Sequence, residues 1–187
     1  MMEEYTKEYY QSINKTEIAQ AKAIAKRITE LYNPKSVIDI GCGTGLYLSP
    51  FTCDKCGVDI SPNAFDQEVL MVDRGLVSID DLRVPRNVYL TYDVTICFEV
   101  LEHIGSEYAD ILVDNISQYS NTIILTASPP GQAGLNHVNC QPQKYWDEKF
   151  EARGFHRDYH DEFQLVWAVH QVEHTIWLVR NLMVYKK

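Results

Sequence analysis

The sequence contains no run of about 18 consecutive apolar residues, the length that a membrane-spanning helix requires. It also has no internal repeat, no low-complexity tract and no linker rich in Gly, Ser or Pro. Its first residues show no basic segment followed by an apolar stretch, so we expect no signal peptide. With 187 residues, 45% of them hydrophobic, the chain is predicted to form one cytoplasmic domain with a substantial core.

The chain contains only five cysteines, an odd number. Without a signal peptide, this count favours free thiols in a reducing compartment over a disulfide framework. Cys53-x-x-Cys56 and His137-x-x-Cys140 carry zinc-type ligands, but the two pairs are roughly 80 residues apart along the chain. The first pair also does not open a helix, as redox pairs do. We therefore predict no metal and no redox site.

Basic residues are the minority, with 17 Lys and Arg against 26 Asp and Glu, which gives a net charge of −9. The excess lies within residues 54–114, which hold 13 acidic and 4 basic residues. Such a surface repels a polyanion, so a nucleic acid is not expected as a partner. A small molecule is the expected substrate, and the composition leaves the oligomeric state open.

Strand and helix patterns alternate along the chain. Asn14 followed by Glu17 resembles a capping box and predicts a helix that ends near Tyr32, before Asn33-Pro34. Short β-branched runs predict strands at Ser36–Ile40, Lys55–Ile60, Leu76–Ile79, Asp93–Phe98, Thr122–Ala127 and Leu182–Tyr185. Further helices are predicted from Ser61 to Gly75, from Ser106 to Tyr119, at Pro142–Arg153 and at Phe163–Leu178. A strand around Leu165–Val169 is the alternative for the last of these.

This alternation predicts an α/β fold with a parallel sheet that is covered on both faces. In such a sheet, ligands bind beyond the carboxyl ends of the strands, at the point where the strand order reverses. The candidate functional residues are therefore expected in the segments that follow the predicted strands.

The strongest local signal is the segment Val37–Gly45, in which a predicted strand runs into the pattern Gly-x-Gly-x-Gly. Glycines allow a sharp turn and a close approach of the backbone to a ligand. Leu46 stands where the dinucleotide fingerprint has its third glycine, and Asp39 would place negative charge near a pyrophosphate. Asp39 instead suits a ligand with an amino group or a positive charge. Asp59, at the end of the second predicted strand, is placed to accept hydrogen bonds from a ribose.

Val37–Gly45 resembles motif I of the class I S-adenosylmethionine-dependent methyltransferases, and Asp59 resembles their ribose-binding acid. The resemblance continues through Asp80-Asp81-Leu82 and Tyr92–Ile104, and covers most of the chain from about residue 20. It implies S-adenosylmethionine as the cofactor and S-adenosylhomocysteine as the product. It also implies one domain over residues 1–187, with residues 1–33 as a helical cap region. The implied fold is a Rossmann-like, doubly wound, seven-stranded sheet that is mostly parallel and has an antiparallel last strand.

The same resemblance implies which residues hold the cofactor. Gly41, Gly43 and Gly45 would line its methionine part, and Asp39 would support its amino group directly or through water. Near the nucleoside, the implied binding residues are Asp59, Ile60, Asp81 and Leu82, with Asp80 as the alternative to Asp81.

The segment Tyr92–Ile104 resembles the "EVLEH" region of methyltransferases that act on small molecules. Glu99 would lie at a strand tip and face the cofactor or the substrate, and His103 would follow one helical turn later. Residues 134–142 resemble the "HVN" stretch of methyltransferases of sugar and secondary metabolism. His137 is the preferred candidate for a general base or substrate ligand, because imidazole titrates near neutrality. A hydrogen bond that only fixes the loop is the alternative role for His137.

These features predict a methyltransferase acting on a small molecule, with hydroxyl acceptors ahead of amines. The Asn/Asp-Pro-Pro-aromatic tetrad typical of enzymes that methylate base amines is absent after the fourth predicted strand. Alternatives are a protein or RNA methyltransferase that needs a partner, a non-catalytic cofactor-binding protein, and a dinucleotide-dependent oxidoreductase. The cap over the site is expected from residues 128–146 and from Tyr5, Tyr9 and Tyr10, unless these tyrosines only pack on the first helix.

Overall fold

The computed structural model describes residues 5–173 and 176–187. Within them, seven strands form one sheet in the order β3-β2-β1-β4-β5-β7-β6. The strands are β1 (Ser36–Ile40), β2 (Asp54–Asp59), β3 (Val77–Ile79), β4 (Val94–Cys97), β5 (Thr122–Thr126), β6 (His156–Arg157) and β7 (Leu182–Lys186). The pairs among β1 to β5 are parallel, whereas β7 is antiparallel to both β5 and β6. The predicted fold, with its antiparallel last strand, is confirmed.

Helices cover both faces of this sheet. They are α1 (Lys7–Tyr32), α2 (Ala109–Ser117), α3 (Gln143–Glu151), α4 (Tyr159–Val169) and α5 (Ile176–Asn181). Because side chains of a strand point alternately to opposite faces, Ile38 of β1 packs with the residues of α2 and α3, among them Trp146. Val37 of the same strand packs on the other face, with residues of α1 and α4 such as Ile28 and Leu165. No helix in the described ranges has both the length and the hydropathy needed to cross a bilayer.

Helix α1 begins at Lys7, so the predicted start at Asn14 is wrong. The side chain of Thr6 caps the helix by accepting a hydrogen bond from the backbone of Tyr9. The predicted end is confirmed, since Asn33 adopts a left-handed conformation with φ of 44° directly after Tyr32. Residues 1–4 of the predicted cap region lie outside the described residues.

The side chains of Asn14 and Glu17, which resemble a helix capping box in the sequence, make tertiary contacts instead. Asn14 Nδ2 donates to the backbone oxygen of Val69 at 2.6 Å, and Asn14 Oδ1 accepts from Thr44 Oγ1 at 2.6 Å. One turn later, Glu17 accepts a hydrogen bond from the Tyr47 hydroxyl at 2.9 Å. Thr44 and Tyr47 belong to the segment that follows β1, so α1 is attached to the glycine loop.

The predicted helix from Ser61 to Gly75 is also wrong. The structure has only single 3₁₀ turns there, at Pro62–Phe65 and Arg74–Leu76. Asp66 ends the first turn with an extended backbone, and its side chain accepts from the backbone nitrogen of Glu68. Such local side-chain bonds compete with a helical ladder.

The predicted single helix over Phe163–Leu178 is replaced by α4 and α5, and His174 and Thr175 lie outside the described residues. The alternative of a strand around Leu165 is wrong, because that segment lies within α4. Strand β6 was missed, since two residues carry no detectable alternation.

Replacing Asn14 should destabilise the fold, because it removes both contacts and leaves the buried Thr44 hydroxyl without that acceptor. We expect Asn14→Ala to lower the free energy of unfolding by about 1–3 kcal/mol, measured by urea denaturation. Lys15→Ala is the matched control, since Lys15 is its exposed helical neighbour. Equal stability of the two variants would contradict the attachment of α1 to the glycine loop.

Candidate active site

A cavity of about 280 Å³ opens at the carboxyl ends of the parallel strands. After β1 the chain builds β2 and β3 on one side, and it then returns to build β4 and β5 on the other. The strand order therefore reverses between β1 and β4, the place where open α/β sheets bind ligands. The segments after β1, β2, β3 and β4 contribute to the walls, as do Tyr5, Tyr9 and Tyr10 from the start of the chain.

The glycine loop after β1 forms one wall. Gly41, Gly43 and Gly45 have φ values of 75°, 50° and 74°, a conformation that side chains with a Cβ rarely adopt. A Cβ at Gly41 would lie 2.3 Å from the Val100 side chain, and one at Gly45 would lie 2.7 Å from Val72. A Cβ at Gly43 would meet no heavy atom closer than 3.8 Å. Gly41 and Gly43 line the cavity, whereas Gly45 packs against Val72.

Asp59, at the end of β2, presents a fixed carboxylate to the cavity. Its Oδ2 accepts from the backbone nitrogen of Gly43 at 2.8 Å, and its Oδ1 accepts from that of Ser61 at 2.8 Å. The backbone of Ile60 is a further donor, and a carboxylate with about four acceptor sites still keeps capacity for a ligand. Burial raises the pKa of Asp59.

Asp39 of β1 lies in the interior beside Asp59. Its Oδ2 is buried without a hydrogen-bond partner among the described residues. Burial, with the negative charge of Asp59 as a second cause, raises the pKa of Asp39 well above its usual value. A positively charged or hydrogen-bond-donating ligand nearby would relieve this cost.

The acids that follow β3 are paired with arginines. Arg83 donates to both oxygens of Asp81 at 2.8 and 2.7 Å, and these bonds lower the pKa of Asp81. Asp80 forms an ion pair with Arg86. Both acids line the cavity together with Leu82, so the structure keeps both alternatives for the adenine contact.

The side chain of Glu99, after β4, is held by three donors, two from the segment after β5 and one from α5. Its backbone is left-handed, with φ of 52°, and its nitrogen donates to Thr126 Oγ1 at 2.8 Å. Glu99 Oε2 accepts from Ser128 Oγ at 2.9 Å and from Gln132 Nε2 at 3.1 Å, and Oε1 accepts from Asn181 Nδ2 at 3.0 Å. The three donors were missed in the sequence because they lie far along the chain, in segments without a recognised motif.

Glu102 lies behind Glu99 and is fully buried. Ser128 Oγ lies 2.9 Å from Glu102 Oε1, so the same hydroxyl bridges the two carboxylates. Burial and the nearby charge of Glu99 raise the pKa of Glu102 to about 8. A hydrogen bond between the Glu102 and Glu99 carboxyl groups is a further cause of this raised pKa.

Two histidines stand next to these acids. His103 Nδ1 lies 3.3 Å from the backbone oxygen of Asn136 and 3.2 Å from the Tyr5 hydroxyl. His137 Nδ1 lies 3.1 Å from the backbone oxygen of Gln132. The two rings meet edge to face, with centroids 4.9 Å apart. Burial, and secondly the neighbouring His137, lower the pKa of His103.

Glu102, His103 and His137 together form a group that sequence reasoning missed. One potential ligand atom from each lies within 4.8 Å of the others. The adjacent pair Glu102-His103 and the later His137 were the available signal, but each histidine was weighed alone. The two residue pairs with zinc-type ligands, Cys53-x-x-Cys56 and His137-x-x-Cys140, do not come together. Cys53 precedes β2 whereas Cys140 follows β5, so these residues lie at opposite ends of the sheet.

The predicted site residues thus fall into two groups. Those that line the cavity are Gly41, Gly43, Asp59, Ile60, Asp81, Leu82, Glu99 and His103. Asp39, Gly45 and His137 lie behind this lining, and His137 contacts it through His103. The tyrosines near the start of the chain line the cavity as well, in agreement with a cap.

A family model described as a methyltransferase domain matches residues 10–178. A ubiquinone biosynthesis O-methyltransferase of Rickettsia felis is 24% identical over 135 residues, covering 65% of this chain and 50% of the relative. The corresponding protein of Rickettsia canadensis is 26% identical over 131 residues, with 65% and 52% covered. The chain spans about half the length of these curated relatives.

Solved structures share the fold. An amino pentose methyltransferase from Micromonospora echinaspora superimposes with a TM-score of 0.66 at 17% identity, covering 90% of each chain. A magnesium protoporphyrin IX methyltransferase from Synechocystis does so with a TM-score of 0.60 at 20% identity, covering 76% of this chain and 75% of that one.

Replacement by alanine should destabilise the fold more at Gly41 than at Gly43. Gly41→Ala meets Val100 and also requires an unfavourable φ, so we expect a loss of roughly 2–5 kcal/mol in the free energy of unfolding. Gly43→Ala has space for its Cβ and should lose only about 1–2 kcal/mol from backbone strain. Urea denaturation of both variants measures the difference. Equal losses would contradict the described packing of Val100 on the loop.

Proposed function

We propose that this chain, which belongs to the methyltransferase-domain family, uses S-adenosylmethionine to methylate a hydroxyl group of a small acceptor. The observation that carries this proposal is that two chemically different sets of residues line one cavity. We assign one end, with the glycine loop and Asp59, to the cofactor, and the other end, with Glu99 and His103, to the acceptor. We assign the activity to a single domain over residues 1–187, in which residues 1–33 act as the cap region.

The first end suits the cofactor. Asp59 suits the ribose, because its carboxylate lines the cavity and is fixed by hydrogen bonds from backbone nitrogens. Gly41 and Gly43 leave room for the methionine part, and Gly45 supports the turn of the loop from behind. Buried Asp39 favours the positively charged amino group, directly or through water.

The nucleoside side of the cavity is formed by Ile60, Leu82 and Asp81. Ile60 is 52% exposed in the structure, so a bound adenine would cover apolar surface there. Asp81 is assigned to the adenine edge, with Asp80 as the alternative, since both line the cavity.

The second end suits the acceptor. Methyl transfer is an in-line displacement from sulfur, to which the protein contributes alignment and a suitably charged pocket. A hydroxyl must also lose its proton, and Glu99, His103 and His137 are the groups we assign to that task. The fixed carboxylate of Glu99 and the paired imidazoles have the chemistry needed to bind a hydroxyl and accept its proton. The Rickettsia relatives, named as O-methyltransferases, support a hydroxyl as the acceptor.

Removing the Asp59 carboxylate should weaken cofactor binding. We expect Asp59→Ala to reduce the affinity for S-adenosylmethionine by roughly 1.5–3 kcal/mol, or about 10- to 150-fold, measured by calorimetric titration. Asp73→Ala is the control, since Asp73 is an exposed acid of the same acidic region. Equal affinities of the two variants would mean that Asp59 does not hold the ribose.

Removing His137 should slow the reaction and leave the cofactor in place. Acceptors are first identified by screening hydroxylated phenols and sugars for release of S-adenosylhomocysteine. With an active acceptor, we expect His137→Ala to lower kcat by about 10²–10⁴-fold. Calorimetry should find the affinity for S-adenosylmethionine nearly unchanged. Full turnover would show that His137 only fixes its loop, and equal weakening of cofactor and acceptor would contradict the division of the cavity.

A further inference from the structure

We propose that a row of exposed aromatic side chains on helix α4 is the centre of an interface between two copies of this chain. Between 61% and 66% of the surface of Tyr159, Phe163 and Trp167 is exposed. These residues are four positions apart, so they lie along one face of the helix. Leu165, on the opposite face of α4, is fully buried in the core. We call the three side chains, together with His170 directly after the helix, the aromatic row.

The aromatic row is already ordered within one copy of the chain. The rings of Phe163 and Trp167 stack, with centroids 6.1 Å apart and planes 26° from parallel. The ring of Trp167 also stacks on His170, with a centroid distance of 4.5 Å. Side chains that hold each other in this way lose little further freedom on association, and that loss is one of the costs of binding. Aromatic residues are enriched in the buried centres of interfaces, so the row has both the composition and the order expected there.

The aromatic row is large enough to form the centre of a stable dimer interface. Three aromatic side chains at this exposure leave roughly 400–500 Å² of surface open to solvent. A typical interface covers about 800 Å² on each partner, with an apolar centre and a polar rim. The adjoining surface of α1 provides such a rim, since Arg27 donates to Gln164 at 2.5 Å beside the row. The row therefore supplies more than half of the area that a dimer needs, and its polar neighbours are available for the remainder.

The distribution of charge indicates a second copy of the chain as the partner. The excess of acidic residues lies within residues 54–114, and two copies repel each other there. By contrast, residues 1–53 hold six acidic and six basic residues, and residues 115–187 hold seven of each. Helix α4 belongs to the second of these balanced segments and packs on α1 of the first, for example through Leu165 and Ile28. The aromatic row therefore lies where charge is balanced, which permits two copies to approach and offers a strongly charged macromolecule little attraction.

A two-fold axis perpendicular to α4 would bring the same row of both copies together, as in most soluble homodimers. The two α4 helices then run antiparallel, so the N-terminal end of one lies beside the C-terminal end of the other. This arrangement is favourable for the helix dipoles, and it places Phe163 of one copy against Trp167 of the other. The described residues that line the cavity come from elements other than α4, so the interface leaves the cavity open.

The test is the mass of the full chain, measured by sedimentation equilibrium between about 0.1 and 100 μM, because interfaces of this size have micromolar or tighter affinities. We expect a concentration-dependent change from 21.6 kDa to twice that mass. Trp167→Lys should raise the dissociation constant at least 10-fold, because it removes an aromatic anchor and brings like charges together near the axis. Tyr89→Lys is the matched control, since Tyr89 is 94% exposed in the segment before β4 and should leave the dimer intact.

Far-UV circular dichroism and urea denaturation of the same samples separate loss of the dimer from loss of the fold. We expect both lysine variants to keep the spectrum of the unmodified protein. Should Trp167→Lys fail to fold, Phe163→Lys takes its place, with the same expected loss of association.

Three sedimentation results would overturn the interface. They are a single mass of 21.6 kDa at every concentration, equal dimer affinities of Trp167→Lys and the unmodified protein, and equal weakening by Tyr89→Lys. Flotation with vesicles of phosphatidylethanolamine and phosphatidylglycerol tests a membrane as the other occupant of the aromatic row. Vesicle binding by a monomeric chain, abolished by Trp167→Lys, would assign the row to a lipid surface and overturn the dimer.

Discussion

Buried negative charge without a protein counterion is the constraint around which this site is organised. Asp39, Asp59, Glu99 and Glu102 lie together at the carboxyl ends of β1, β2 and β4, and within the described residues no ion pair joins them to Lys or Arg. Carboxylates in a medium of low dielectric are costly unless hydrogen bonds or cations compensate them. Backbone nitrogens compensate Asp59, and side-chain donors compensate Glu99.

The buried negative charge that protein donors leave uncompensated explains why the proposed cofactor is a cation. The proposed cofactor, S-adenosylmethionine, carries a sulfonium and an ammonium group. Arginines pair with the acids at the rim, Asp80 and Asp81, so the uncompensated charge is concentrated in the interior. Tyrosines from the start of the chain lie beside both groups, because the Tyr5 hydroxyl is 3.2 Å from His103 Nδ1 and the Tyr10 ring is 3.8 Å from the position that a Cβ at Gly43 would take.

Local signals were sufficient to predict most of the fold. The six predicted strands agree with the structure to within one residue at every end, because short β-branched runs between turns are strong signals. The glycine loop was predicted correctly for the same reason, since its turn depends on residues that are adjacent in sequence. The prediction of a helix after Ser61 was wrong because the Asp66 side chain accepts a hydrogen bond from the backbone nitrogen of Glu68, which periodicity does not reveal.

Contacts between distant segments were not accessible from the sequence. Asn14 resembles a helix cap, and only the folded chain shows that it bonds to Thr44, 30 residues later. Glu99 and Asn181 are separated by 82 residues, and no pattern links them. Similarly, His103 and His137 were treated as competing candidates, whereas the fold places them in contact.

A crystal structure with S-adenosylhomocysteine bound tests the division of the cavity most directly. We expect the ribose hydroxyls on Asp59, the homocysteine part along Gly41 and Gly43, and the sulfur directed toward open space beside Glu99 and His103. Binding in which the sulfur faces away from Glu99 and His103, or in which the ribose makes no contact with Asp59, would contradict it.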